Sequence, residues 1–287
     1  MTPIIQPEQL LPLMDQADLI LIDARAGADA REKYLSGHLV KAQWVDLETD
    51  LSDIKEDAQD GGRHPLPGID VFSALVAGLG ITPDSHVVVY DDRHAAMAAA
   101  RFWWMLRAIG HHRVQVLDGG FELGVKRGLP LSQGVEKNQI AGAKIAYPSH
   151  EEKGNEWLLP TVTLDEVEQA GRDGSKLIID VREPERYRGE VEPYDLVAGH
   201  IPGAVNIFYG RNLDENGCFL PPELLHSMYK EVIGKRTPEQ IIVHCGSGVT
   251  ACHTLLAMDY AKLPVPKLYV GSYSEWIRND KPIETAR

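Results

Sequence analysis

One ordered pattern of residues occurs twice in the chain, and it restricts the fold more than any other feature. Leu19-Ile20-Leu21-Ile22-Asp23-Ala24-Arg25 is an apolar run closed by an acid and a base, and Lys176-Leu177-Ile178-Ile179-Asp180-Val181-Arg182 repeats it 157 positions later. A Gly-His unit follows in both halves, as Ser36-Gly37-His38-Leu39 and as Ala198-Gly199-His200-Ile201. His86-Val87-Val88-Val89-Tyr90-Asp91 then matches Gln240-Ile241-Ile242-Val243-His244-Cys245, and Leu117-Asp118-Gly119-Gly120-Phe121 matches Tyr269-Val270-Gly271-Ser272-Tyr273. Short β-branched runs of this kind read as buried parallel strands. Their ordered duplication predicts an α/β chain of two similar domains, each a mainly parallel sheet flanked by helices on both faces. At 287 residues the chain is long enough for each copy to bury a core of its own.

The copies differ where chemistry is expected. In the second, Ile241-Ile242-Val243 delivers Cys245 to the mouth of a tight loop, Gly246-Ser247-Gly248-Val249-Thr250, and the residues from Thr250 to Met258 have helical character. Glycines allow the loop to turn sharply and aim successive N–H groups inward. Those amides, together with the positive end of the following helix, stabilise a thiolate and any negative sulfur attached to it. A buried packing thiol is the ordinary alternative for a cysteine beside a strand, but it would make no use of the flanking glycines. In the first copy Asp91-Asp92-Arg93-His94 stands at the same place and has no nucleophile, and the helix expected over Ala95–Leu106 is apolar enough to be core, Trp103 and Trp104 included. The domains expected are therefore 1–135, non-catalytic; 136–160, a connecting segment in which Ile140, Ile145, Tyr147 and Trp157 need cover; and 161–287, catalytic.

A strand, a cysteine loop and a helix also make a phosphatase cradle, but that chemistry needs an arginine six positions after the cysteine to clamp phosphate, and here the position is Ala251. Cys252, two helical turns on, reads as packing under the loop, and Cys218 as a loop thiol. No close Cys-x-x-Cys pair suggests zinc, so no metal is expected. After the Asp180-Val181-Arg182 strand end, Arg182 and Arg186 fall at i and i+4 and share a face, with Glu183, Glu185 and Glu190 available as surface partners.

Charge and composition narrow the partners. A net charge of −13 disfavours nucleic acid and anionic membranes. The N-terminal residues show no basic region followed by an apolar core, no run approaches a membrane span, and three cysteines are an odd, sparse set suited to a reducing compartment. The expectation is a cytoplasmic monomer.

Cys245-Gly246-Ser247-Gly248-Val249-Thr250-Ala251-Cys252 closely resembles the active-site loop of 3-mercaptopyruvate sulfurtransferases, within the rhodanese superfamily, and the resemblance extends over nearly the whole chain. It implies two tandem rhodanese-like domains and transfer of sulfur from 3-mercaptopyruvate through a cysteine persulfide to cyanide or a thiol, with release of pyruvate and no cofactor. A small thiol or a thioredoxin-like protein would be the acceptor in the cell. It further implies that Cys245 is the nucleophile and that Ser247 hydrogen-bonds the donor or relays a proton. Arg186 aligns with a family arginine that contacts the donor's anionic group, and His64, in the irregular Gly61-Gly62-Arg63-His64-Pro65 loop, aligns with a histidine facing the cysteine. Relatives that prefer thiosulfate carry basic residues where this loop has Gly246 and Ser247; a thiosulfate enzyme or a persulfide carrier without turnover are the alternatives. Many mercaptopyruvate enzymes carry a second arginine after the Glu-Pro at 192–193, where this chain has Tyr194, able to donate a hydrogen bond but no charge; Arg188 or Arg211 would then have to swing in, while Arg63 adds charge beside His64 in its own loop.

Overall fold

The computed structural model describes residues 1–136 and 157–286. The chain divides into two compact units, one comprising Met1–Leu51, Pro67–Leu158 and Asn216–Cys218, the other Ser52–Leu66, Leu159–Glu215 and Phe219–Arg287. The first unit holds strands β1 (Ile4–Ile5), β2 (Leu19–Asp23), β3 (His38–Leu39), β4 (Gln43–Trp44), β5 (His86–Tyr90), β6 (Val114–Leu117) and β7 (Leu131–Ser132). The second holds β8 (Thr161–Val162), β9 (Leu177–Asp180), β10 (Ala204–Asn206), β11 (Ile241–His244) and β12 (Lys267–Tyr269).

The main sheets have the same order. In the first unit it is β1-β6-β5-β2-β4, in the second β8-β12-β11-β9-β10, and every neighbouring pair is parallel. Parallel strands need crossovers, and the helices that make them cover the sheet faces. This is why β5 and β11 are buried at every position. The cores are built from these strands and the helices on them: Leu10, Leu21, Val88 and Leu117 in the first unit, Val167, Ile178, Ile242 and Trp276 in the second.

The acid and base that close the repeated run perform one structural task twice. Arg25 forks onto Asp23 (Nη2–Oδ2 2.6 Å) and donates to the Gly37 carbonyl at 2.7 Å; Arg182 does the same to Asp180 (2.6 Å) and Gly199 (2.7 Å). Burial alone would raise the Asp180 carboxyl, but Arg182 and His244 outweigh it and hold the group below the usual range. The histidines of the Gly-His units are likewise structural: His38 stacks on Tyr34 and His200 on Tyr187, each with Nδ1 on that tyrosine's carbonyl, at 2.8 and 2.7 Å.

Two features depart from the linear reading. The segment 52–66 belongs to the second compact unit although it lies early in the chain. The first-copy helix runs over Ala98–Ala108, so Ala95–Met97 are loop despite their helical propensity. Trp103 and Trp104 are fully buried in that helix. Trp157 packs against Phe72 and Trp104, with ring centroids 5.8 and 5.9 Å apart, whereas Ile140, Ile145 and Tyr147 lie outside the described residues. Among the described residues no helix is long and apolar enough to cross a membrane.

Candidate active site

β11 is paired on both sides, with β9 and β12, and so ends at a fixed point. The chain then enters the loop Cys245–Thr250, and the helix Ala251–Tyr260 leaves directly from it. The start of the loop is pinned by the residues after β12: the Cys245 N–H donates to Ser272 Oγ (3.2 Å), and the carbonyls of Cys245 and Gly246 accept from the amides of Tyr273 (3.1 Å) and Ser274 (2.9 Å). Gly248 has φ +77°, and a Cβ there would meet the Val270 carbonyl oxygen at 2.2 Å, so only glycine fits. Among the described residues, the N–H groups of Gly246, Ser247, Val249 and Thr250 donate to no protein acceptor. Cys245 is 3% exposed and begins this run. Cys252 lies beneath it, fully buried, with Sγ on the Gly248 carbonyl at 3.5 Å.

The first unit displays what such a loop can hold. There Asp91 takes the place of Cys245, and its carboxylate accepts four backbone N–H groups, from Arg93 and Ala95 on one oxygen (both 2.9 Å) and Met97 and Ala99 on the other (both 3.3 Å). Complete burial raises the Asp91 carboxyl, and these amides pull against it. To serve the carboxylate the backbone turns through positive φ at His94 (56°) and Ala95 (63°), which is why helix begins later than propensity suggests. His94 and Gly248 stand at equivalent positions. One loop thus cradles a resident anion, and its counterpart presents a cysteine.

The segment 52–66 brings two more side chains to Cys245. It is tied down where Gly61 N–H donates to Glu275 Oε1 (3.0 Å) and Arg63 N–H to Ser274 Oγ (3.1 Å), with Gly62 (φ +79°) so close that a Cβ would sit 2.3 Å from the Gly271 carbonyl oxygen. His64 Nδ1 then lies 2.8 Å from Ser247 Oγ. The Arg63 guanidinium reaches Gly246, as does that of Arg186, which stands on the short helix Pro184–Arg188: a Cβ built on Gly246 would be 3.0 Å from Arg63 Nη2 and 3.2 Å from Arg186 Nη2. A Cβ at 246 would press on both guanidiniums, each of which would have to give by a few tenths of an ångström.

Arg186 is not unaccompanied. Glu192 holds it bidentately (Nη2–Oε1 2.8 Å, Nε–Oε2 3.1 Å), and the same carboxylate reaches Arg182 at 3.2 Å. Glu183 lies at 3.3 Å and Asp195 at 3.6 Å from Arg186. Of the surface partners that the sequence reading offered, Glu183 does meet Arg186, whereas Glu185 and Glu190 pair with Arg188. Glu192 and Asp195 were missed because an acid in a charged stretch gives no local sign that it folds inward. Tyr194, 64% exposed, presents its ring to the guanidiniums of Arg186 and Arg63, at 5.0 and 5.6 Å. Among the described residues no three His, Cys, Asp or Glu side chains are grouped as around a metal ion.

Comparison with known proteins agrees with the duplicated architecture. A model of the rhodanese-like domain matches residues 6–126 and again residues 163–279. The chain is similar to a Pseudomonas aeruginosa protein named "Probable 3-mercaptopyruvate sulfurtransferase", with 38% identity over 97% of this chain and 96% of the relative. It is also 38% identical to the "Putative thiosulfate sulfurtransferase SseB" of Mycobacterium tuberculosis, over 86% of this chain and 83% of the relative. Among solved structures it resembles the 3-mercaptopyruvate sulfurtransferase from Leishmania major, with a TM-score of 0.79 and 27% identity, covering 96% of this chain and 74% of that one. Two matches to one domain model, on two sheets of identical strand order, mean that this chain belongs to the rhodanese-like family as a tandem pair.

Proposed function

We propose that the chain is a sulfurtransferase that takes sulfur from 3-mercaptopyruvate and passes it to cyanide or a thiol, releasing pyruvate. The observation that carries this reading is Cys245 at the head of a loop in which the amides of Gly246, Ser247, Val249 and Thr250 have no protein acceptor among the described residues, and whose first-unit counterpart cradles a carboxylate with four N–H groups. The Cys245 thiolate attacks the donor's thiol sulfur. The sulfur–sulfur bond forms as the carbon–sulfur bond breaks, and the electron pair leaves on carbon as the enolate of pyruvate. The proton from the transferred S–H returns to that carbon, so the step needs no external oxidant or reductant. Ser247 and His64, joined at 2.8 Å, are the relay for this proton. The amides of Gly246, Ser247, Gly248, Val249 and Thr250 hold the negative outer sulfur of the persulfide. Arg186 binds the donor's carboxylate, and Tyr194 covers it from the solvent side. A thiolate acceptor then attacks the outer sulfur and returns Cys245 to its starting state.

A cytoplasmic monomer served by a small thiol or a thioredoxin-like reductant completes the proposal; the net charge of −13 and the sparse cysteines support it. Thiosulfate is the second donor to consider, because Arg63 and Arg186 bring to Gly246 the cationic groups that the loop sequence lacks, and one relative carries that name. Glu192 and Asp195 offset that charge, which favours the monoanionic donor. The test is mass spectrometry after incubation with each donor alone, followed by steady-state kinetics with cyanide. One sulfur atom should be added to Cys245 and removed by cyanide, with the higher kcat/KM for 3-mercaptopyruvate. Turnover surviving in Cys245→Ser would remove the nucleophile from this scheme; sulfur loading without turnover would make the protein a carrier.

A further inference from the structure

Asp195 is held less well than Asp180 and Glu192, the other buried carboxylates of the cluster beside Cys245. Its side chain is fully buried, yet it meets Arg63 at 3.2 Å (Nε–Oδ1) and 3.4 Å (Nη2–Oδ2) and Arg186 at 3.6 Å (Nη2–Oδ2). The 3.2 Å approach has no hydrogen-bond geometry: Arg63 Nε and Asp195 Oδ1 are both buried atoms without a hydrogen-bond partner. Glu192, by contrast, forks onto Arg186 at 2.8 and 3.1 Å. Burial is the main reason the Asp195 carboxyl lies above its ordinary range, and the Glu192 charge adds to it, against the pull of Arg63. Charge balance adds a constraint. Arg63, Arg182 and Arg186 are met by Asp180, Glu192 and Asp195, with Glu183 at the edge, so an anion entering beside Cys245 must take over a place that a resident carboxylate occupies.

We propose that Arg63 is the second guanidinium of the donor-binding site and that Asp195 is an internal placeholder, which the donor's carboxylate displaces from between Arg63 and Arg186. This rests on the reading that an anionic donor binds beside Cys245. The geometry suits it, since both guanidiniums converge on Gly246, one residue from the thiol. A carboxylate bridging two arginines makes shorter, better aligned contacts than the 3.2–3.6 Å ones Asp195 achieves. Arg63 thus supplies, from the early segment 52–66, the charge that Tyr194 does not. Arg188 is engaged with Glu185 and Glu190 and is not needed for this role.

Two measurements on the full chain test the proposal. In steady-state turnover of 3-mercaptopyruvate with cyanide, Arg63→Ala should raise KM by about 10- to 100-fold with a much smaller effect on kcat, and Arg63→Lys should recover part of the loss. Asp195→Asn, nearly isosteric, should lower KM several-fold. The second measurement does not depend on sulfur transfer: alkylation of Cys245 by anionic iodoacetate is compared with alkylation by neutral iodoacetamide. The iodoacetate-to-iodoacetamide rate ratio should fall in Arg63→Ala and rise in Asp195→Asn, while the iodoacetamide rate reports that Cys245 and its loop are intact. An unchanged ratio in either variant overturns the proposal. Absence of turnover with a responsive ratio would instead reject the donor and leave the anion site standing.

Discussion

His64 and Ser247, 183 positions apart in the chain, meet at 2.8 Å beside the cysteine. Ser247 is 8% exposed and its hydroxyl is held in one direction by this contact. If the pair moves one proton, its members act as a unit. Ser247→Ala and His64→Ala should each lower kcat with 3-mercaptopyruvate by about 10²-fold, and the double variant should lose little more. The pH dependence of kcat should change in both single variants. Losses that multiply in the double variant would mean that the two residues serve separate purposes.

Asp91 offers a test of the loop as an anion cradle, away from the nucleophile. Asp91→Ala deprives four amides of their acceptor, those of Ala95 and Ala99 in buried hydrogen bonds, and should destabilise the first unit by about 3 kcal/mol. Asp91→Asn keeps one carbonyl oxygen and should cost less. Urea denaturation gives the stability, and amide hydrogen exchange at Ala95 and Ala99 gives the local effect. Unaltered exchange there in Asp91→Ala would show that the loop closes on itself without the carboxylate.

His111 sets a pH dependence of stability. It is 1% exposed, and burial lowers it from an ordinary value of 6.5 to about 4. A group depressed in the folded state stabilises the fold above its unfolded value and loses that contribution as the pH falls through the folded value. Stability should therefore decline between roughly pH 6.5 and pH 4, with His111 supplying on the order of 3 kcal/mol of the change. His86, lowered mainly by burial, acts in the same direction. Replacing His111 by Gln should flatten the acid branch measured by denaturant unfolding at pH 7 and pH 4.5; an identical decline would assign it to other groups.

The sequence alone determined the plan of two equivalent α/β copies, the strand that ends at Cys245, and the loop that follows it. Each of these rests on local information: runs of Ile, Leu and Val that can only be buried, glycines where the backbone must turn, and their recurrence in one order. The tandem Asp-x-Arg ends were legible for the same reason, because the partners are two residues apart. The tertiary structure decided how charges far apart in the chain are paired. Arg186 has acids on every side in sequence, and only folding selects Glu192 and Asp195 as its buried partners while leaving Glu185 and Glu190 at the surface with Arg188. Only the fold, too, assigns residues 52–66 to the second unit and so brings Arg63 and His64 to the loop of Cys245. The late start of the helix at Ala98 has a similar origin, since four amides captured by one buried carboxylate outweigh the small per-residue preference of alanine for helix. Propensity and periodicity are properties of neighbours along the chain; ion pairing and loop docking depend on which segments the sheet order places side by side.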